Sequence, residues 1–197
     1  MKKNIIVGII GVVVVVALLF GFKALINRSE DRESIENKKD ETASALDLER
    51  VYPKTPEEVV NKFAQINKYT YRNDLSEEEM EEVVENLRML YDQELLEQNT
   101  EDVQISAFIN ELFQADSVNR KLMNYEVYGD EKVEYKENKY GELALVNATF
   151  YFKQDDAYPK AEYTFILRKD ANGNWKILGW DYADNFNKNQ EDEVSEK

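Results

Sequence analysis

"GNWKILGWDY", residues 173–182, places both tryptophans of the chain in one short stretch near its C-terminal end. Its first residue, Gly173, forms an Asn-Gly pair with Asn172 that tolerates positive φ, so the residues that follow are predicted to be the last strand of an antiparallel hairpin. Trp175 and Trp180 are an odd number of residues apart and would face opposite sides of a regular strand. Gly179 between them is compatible with a bulge, which would break that alternation.

Large apolar side chains on both faces of this strand indicate that both faces of the sheet are at least partly covered. A helical layer is one cover. For the other face two alternatives remain open. Either a ligand or partner contacts Trp180 and Tyr182, or Trp180 folds beneath residues 51–53 or the C-terminal tail.

Upstream of the tryptophans the hydrophobic period is that of strands. Residues 124–128 and 132–136 are predicted to form two parts of a first strand, interrupted near a Gly-Asp pair. Residues 141–153 form a long strand, and residues 161–169 form the strand that precedes the hairpin turn. We therefore expect a curved antiparallel sheet of about four strands.

Three helix starts precede the sheet. Thr55 with Glu58, and Ser76 with Glu79, each match a capping box, and a third helix follows Thr100. The apolar residues after these starts recur at helical spacing and predict core-facing stripes. The stripes are Val59, Phe63 and Ile66; then Met80, Val83, Val84, Leu87, Leu90, Tyr91 and Leu95; then Ile105, Phe108, Ile109, Leu112 and Phe113.

The predicted fold class is α+β, with three helices on the curved sheet. This order, closed by a G-x-W-K-I motif, resembles the nuclear transport factor 2-like cone fold. The segments YPKTPEEVV (52–60), LYDQELLEQN (90–99) and NWKILGW (174–180) are similar to an uncharacterised family of membrane-anchored proteins from anaerobic Gram-positive bacteria. That resemblance covers residues 1–182 and implies no activity, and the wider fold hosts unrelated functions.

The N-terminus carries an uncharged apolar run at residues 5–22. At about 1.5 Å per residue the run reaches about 27 Å, close to the hydrocarbon thickness of a bilayer. Two lysines precede it, so residues 1–4 are expected in the cytoplasm. A cleaved signal peptide is the alternative, but no small-x-small cleavage site follows the run.

The segments outside the folded domain are rich in charge. Residues 23–50 are predicted to be a charged linker or a solvated extension of the membrane helix. Residues 51–183 are the expected extracytoplasmic cone-fold domain, and residues 184–197 are an expected disordered acidic tail. The predicted location is the cell membrane, in single-pass topology with a cytoplasmic N-terminus and the bilayer contacted through residues 5–22.

Composition excludes several classes of function. The chain has no cysteine and no histidine, which removes disulfides, thiol nucleophiles, thiolate zinc sites and the usual general base. Its 40 acidic and 25 basic residues give a formal charge of -15, which disfavours nucleic acid as a partner. We expect no cofactor, no metal site and no catalytic residues.

The candidate surface for a ligand or partner comprises five residues. They are Trp180, Tyr182, Asp181, Asn147 and Tyr151. The expected function is a non-enzymatic, membrane-anchored extracytoplasmic binding or interaction domain. It would bind a small ligand or another envelope protein through the cone pocket or the second sheet face, or associate with a second copy. One alternative is a scaffold component of a secretion or conjugation complex. Another is an isomerase or lyase with an Asp-Tyr pocket, in which a desolvated Asp181 acts as base.

Overall fold

The computed structural model describes residue 48, residues 51–71 and residues 75–184. Within these residues four α-helices lie against an antiparallel sheet of five strands. The helices are α1 (Pro56–Thr70), α2 (Glu77–Met89), α3 (Gln93–Gln98) and α4 (Glu101–Ser117). The strands are β1 (Arg120–Val127), β2 (Glu134–Asn138), β3 (Gly141–Gln154), β4 (Lys160–Lys169) and β5 (Trp175–Tyr182). The α+β class is therefore confirmed.

The long strand β3 organises the sheet, which has the order β1-β3-β4-β5. β1 pairs with residues 148–154 of β3, and β2 pairs with residues 141–145 on the same edge. A short 3-10 turn, Asp130–Lys132, lies between β1 and β2. The interrupted first strand of the sequence prediction is thus two strands, which raises the count from about four to five.

The two predicted capping boxes are present. The Thr55 hydroxyl accepts a hydrogen bond from the Glu58 backbone N–H, and the Glu58 carboxylate accepts one from the Thr55 N–H. Ser76 and Glu79 make the same reciprocal pair at the start of α2. The local sequence therefore determines where α1 and α2 begin.

The second helix is shorter than its apolar stripe predicted. It ends at Met89, and the chain then runs beside the outer edge of β5. The Ile177 N–H donates to the Leu90 carbonyl, and the Asp92 N–H donates to the Ile177 carbonyl, both at 2.8 Å. Asp92 then caps α3, a fourth helix that the sequence reading missed. Pairing with β5 replaces the helical hydrogen bonds that a longer α2 would have made.

The orientation of α4 differs from the prediction. Its buried face consists of Gln104, Phe108, Glu111 and Ala115. Of the predicted stripe only Phe108 is buried; Ile109 is 39% and Phe113 is 75% exposed. The expectation that these two face the core was therefore wrong.

One face of the sheet forms the core with the helices. Alternate residues of β3 and β4 on this face are buried beneath α1 and neighbouring helices. They are Ala144, Val146, Ala148, Phe150 and Phe152 on β3, and Ala161, Tyr163, Phe165 and Leu167 on β4. The opposite face is also covered in part, as predicted, because Leu143 and Leu145 are buried there.

No helix within residues 51–71 and 75–184 is long and apolar enough to cross a membrane. The anchor predicted at residues 5–22 lies outside the described residues. The same holds for most of the linker predicted at residues 23–50 and for nearly all of the predicted tail.

Candidate functional site

A bulge in β5 determines where the two tryptophans point. Leu167 pairs with Ile177, but its neighbour Ile166 pairs with Gly179, so Leu178 has no partner on β4. This extra residue compensates for the odd spacing of the tryptophans and turns both toward the helix-facing side. The bulge that Gly179 suggested is therefore present, and the opposite-face arrangement of a regular strand is not.

Trp180 lies in the core. Its ring centroid is 5.5 Å from that of Phe63 on α1, 5.8 Å from Phe165 and 6.1 Å from Tyr91. Residues 51–53 were one of the covers that the sequence left open for Trp180. The structure places Tyr52 at Trp175 instead, where its hydroxyl donates to the Trp175 carbonyl oxygen at 2.9 Å. Trp180 is therefore a packing residue rather than part of an outer surface.

The interior between α1 and the sheet is filled by interlocking aromatic rings. Phe63 meets Phe165 at 5.3 Å, and Phe150 meets Tyr163 at 5.9 Å, both nearly edge to face. Edge-to-face pairs at these separations add to the stabilisation from burial. Within the described residues, aromatic side chains therefore pack directly against one another between α1 and the sheet.

Three of the five predicted site residues share the outer face of the sheet. The β-sheet register places Asn147, Thr164 and Asp181 in one row across three strands. The Thr164 hydroxyl donates to Asn147 Oδ1 at 2.7 Å, and the Asp181 carboxylate accepts from the N–H of Tyr182. Asp181 and Asn147 are exposed. Tyr151 lies further along this face, where its hydroxyl is 3.4 Å from Glu126.

Tyr182 lies on the other face, with Trp180. Its ring stacks on that of Tyr163 at a centroid distance of 4.8 Å. Burial raises the pKa of the Tyr163 hydroxyl, and a hydrogen bond to the Tyr182 side chain adds to that effect. The structure therefore divides the predicted site between the two faces of the sheet.

A buried polar cluster that the sequence reading missed surrounds Glu111 of α4. The Tyr71 hydroxyl donates to Glu111 Oε1 at 2.9 Å, and Arg120 Nη1 lies 3.6 Å from the same oxygen. Arg120 also donates from Nε to Gln154 Oε1 at 3.0 Å. Desolvation by burial raises the pKa of the Glu111 carboxyl to about 7, although the Tyr71 hydrogen bond and the Arg120 charge lower it.

With this pKa, the Glu111 carboxyl can gain or lose a proton near neutral pH. Glu111 and Tyr71 form a carboxyl–phenol pair, and Tyr71 packs edge to face on Phe152 at 6.4 Å. The sequence carried one signal for this cluster. At helical spacing, Gln104 and Glu111 share a face of α4 with the apolar residue Phe108, which indicates that two polar side chains are buried there.

A shallow cleft of about 310 Å³ lies where α2 and α3 meet β5. Its lining carries both charge signs, from Arg88, Lys176, Asp92 and Asp170. Lys176 Nζ donates to the Met89 carbonyl at 2.6 Å, and Asp92 accepts two hydrogen bonds from Arg168. Burial lowers the pKa of Lys176. Asp92 and Lys176, two of the charged residues in the cleft, are therefore already paired with groups of the same chain.

The described ranges, 51–71 and 75–184, contain no group of three or more acidic side chains placed to hold a metal ion.

Comparison with protein families identifies the family of this chain. A model described as domain of unknown function (DUF6715) matches residues 1–180. The chain belongs to the DUF6715 family. The match spans the N-terminal apolar run, the charged segment and nearly all of the domain described above. A search of curated proteins found no match.

Proposed function

We propose that this DUF6715 chain is a single-pass, membrane-anchored domain outside the cytoplasm that binds another macromolecule through its outer surface. The observation that supports this proposal is the aromatic packing between α1 and the sheet. Because Phe63, Phe150, Phe165 and Trp180 pack against one another between α1 and the sheet, the proposal places binding on the exterior. The apolar run at residues 5–22 and the lysines before it support the anchor and its orientation.

The proposed fold family is the nuclear transport factor 2-like cone. Helices that precede an antiparallel sheet, and a closing strand with a bulge between its tryptophans, agree with that assignment. Members of this fold that act as isomerases or lyases need a carboxylate buried in an open pocket. Asp181, the carboxylate considered for this role, is exposed. The buried carboxylate, Glu111, is engaged by Tyr71 and Arg120 and does not line the cleft described above, so the interaction function is favoured over the enzymatic one.

Native mass spectrometry of the full chain, extracted in mild detergent from membranes of the cells that produce it, tests the proposal. We expect a complex with a second protein and no retained small molecule. A small molecule that stays bound after detergent removal would contradict the placement of binding on the exterior. A closed ring of identical chains would instead favour a scaffold component of an envelope complex.

A further inference from the structure

The helix α4 buries two polar side chains and exposes large apolar ones. It turns Gln104 and Glu111 inward and presents Ile109 and Phe113, one turn apart, to the outside. Ile105 and Leu112, both half-buried, border them. We name these four residues the α4 ridge. Exposed phenylalanine side chains in a contiguous apolar stripe are typical of interaction sites.

The buried polar side chains explain why the ridge stays outside. Gln104 Oε1 accepts a hydrogen bond from Arg88 Nη1 at 2.8 Å, and Glu111 accepts one from Tyr71 at 2.9 Å. Rotating α4 to bury Phe113 would break both contacts and carry Phe108 out of the core. Since rotation would leave the buried Tyr71 hydroxyl without its Glu111 acceptor, and an unmade buried hydrogen bond is costly, the helix keeps its present orientation.

The charged side chains that α4 and the helix packed on it, α2, expose are acidic. Asp102 and Asp116 lie on the same side of α4 at its two ends, and α4 contains no lysine or arginine. The neighbouring helix α2 packs on α4 and exposes six glutamates. They are Glu77, Glu78, Glu79, Glu81, Glu82 and Glu85. An apolar ridge within a negative field selects a partner of opposite charge.

We propose that the α4 ridge docks a basic amphipathic helix of a partner protein. The apolar stripe of that helix covers Ile109 and Phe113, and its lysines or arginines face the acidic side chains of α2 and α4. A second copy of the chain fits poorly, because its own ridge carries the same acidic surroundings. An anionic lipid surface is repelled for the same reason. This inference rests on the proposed interaction function and names its surface and partner chemistry.

The test uses the full chain in nanodiscs of zwitterionic lipid, with empty nanodiscs as the blank. The probe is a fluorescent 18-residue helical peptide of leucine and lysine, and its matched control carries glutamate in place of lysine. The chain variant is the double substitution Ile109→Gln with Phe113→Gln. Its control is Tyr158→Gln, because Tyr158 is 62% exposed and lies between β3 and β4.

Fluorescence anisotropy should show binding of the lysine peptide that weakens by at least about tenfold in the double variant and is unchanged in Tyr158→Gln. The glutamate peptide should not bind. Equal binding by the double variant, or no binding of the lysine peptide, overturns the proposal. So does a dimer of the full chain that the double variant abolishes, because the ridge would then belong to a second copy.

Failure of this test and failure of the proposed function are distinguishable. If the peptide result is negative while native mass spectrometry still finds a protein partner, the interaction function stands and only the ridge assignment is wrong. A retained small molecule in native mass spectrometry contradicts the function itself, whatever the peptide does.

Discussion

Trp180 lies on the same face of the sheet as Trp175, because Leu178 between them has no partner on β4. The bulge converts an odd spacing in sequence into a shared side in space. Through it Trp180 reaches Phe63 on α1 and joins the closing strand to the helical layer. The two tryptophans are therefore explained by packing within this chain.

Truncation of Trp180 should destabilise the domain strongly. Trp180 is 9% exposed and contacts Phe63, Tyr91 and Phe165, so Trp180→Ala should cost about 3–5 kcal/mol of unfolding free energy. Urea denaturation followed by circular dichroism measures it. Tyr158→Ala, at an exposed aromatic, should stay within about 0.5 kcal/mol of the parent. A Trp180→Ala variant as stable as the Tyr158 control would show that the core is wrongly described.

Deletion of Leu178 should be tolerated better than deletion of Lys176. Without Leu178 the strand becomes regular and Trp180 still pairs with Phe165, so we expect a loss of less than about 2 kcal/mol. Deleting Lys176 instead moves Trp175 to the opposite face, because a one-residue shift reverses side-chain direction. The same denaturation measurement compares the two. Equal losses would argue that the bulge itself is required as much as the direction of Trp175.

Glu111 should give the domain a stability that falls as pH rises. Its folded-state pKa of about 7 exceeds the ordinary value of 4.5, so the folded state holds a proton more tightly than the unfolded one. The contribution is fully present below about pH 4.5 and is lost by about pH 7, to an extent of about 2–3 kcal/mol. Tyr71 and Arg120 face the carboxyl and limit the shift.

The variant Glu111→Gln isolates this contribution. Glutamine keeps an acceptor for the Tyr71 hydroxyl but does not titrate, so the fall in unfolding free energy between pH 5 and about 7 should be reduced. Denaturation of parent and variant across this range gives the difference. The exposed Glu162→Gln serves as control and should follow the parent. A parallel pH profile for Glu111→Gln and parent would refute the assignment.

Local signals in the sequence predicted much of the fold. The capping boxes at Thr55 and Ser76 determine the starts of α1 and α2, because they depend on side chains three residues away. The alternation along β3 and β4 and the turn at Gly173 likewise depend on near neighbours; Gly173 has a φ of +85°. These interactions are short in range, so the sequence alone displays them.

The features that were missed depend on contacts between distant segments. The end of α2 at Met89 results from pairing of residues 90–92 with Ile177. The orientation of α4 results from Tyr71 and Arg88, which hold its two buried polar side chains. Hydrophobic periodicity predicted that Ile109 and Phe113 of α4 face the core. Periodicity takes account of the apolar residues of a helix but not of the polar side chains on other elements that hydrogen-bond to it. The Glu111 cluster was missed for the same reason.

The most direct measurement for the central claim, an anchored domain facing outward, is cysteine labelling in intact cells. The chain has no cysteine, so Ala171→Cys, in the exposed β4–β5 turn, and Lys3→Cys each introduce a single thiol. A membrane-impermeant maleimide should label Ala171→Cys in intact cells and Lys3→Cys only after permeabilisation, with both proteins retained in carbonate-washed membranes. Release from washed membranes, or labelling of Ala171→Cys only after permeabilisation, would contradict the account.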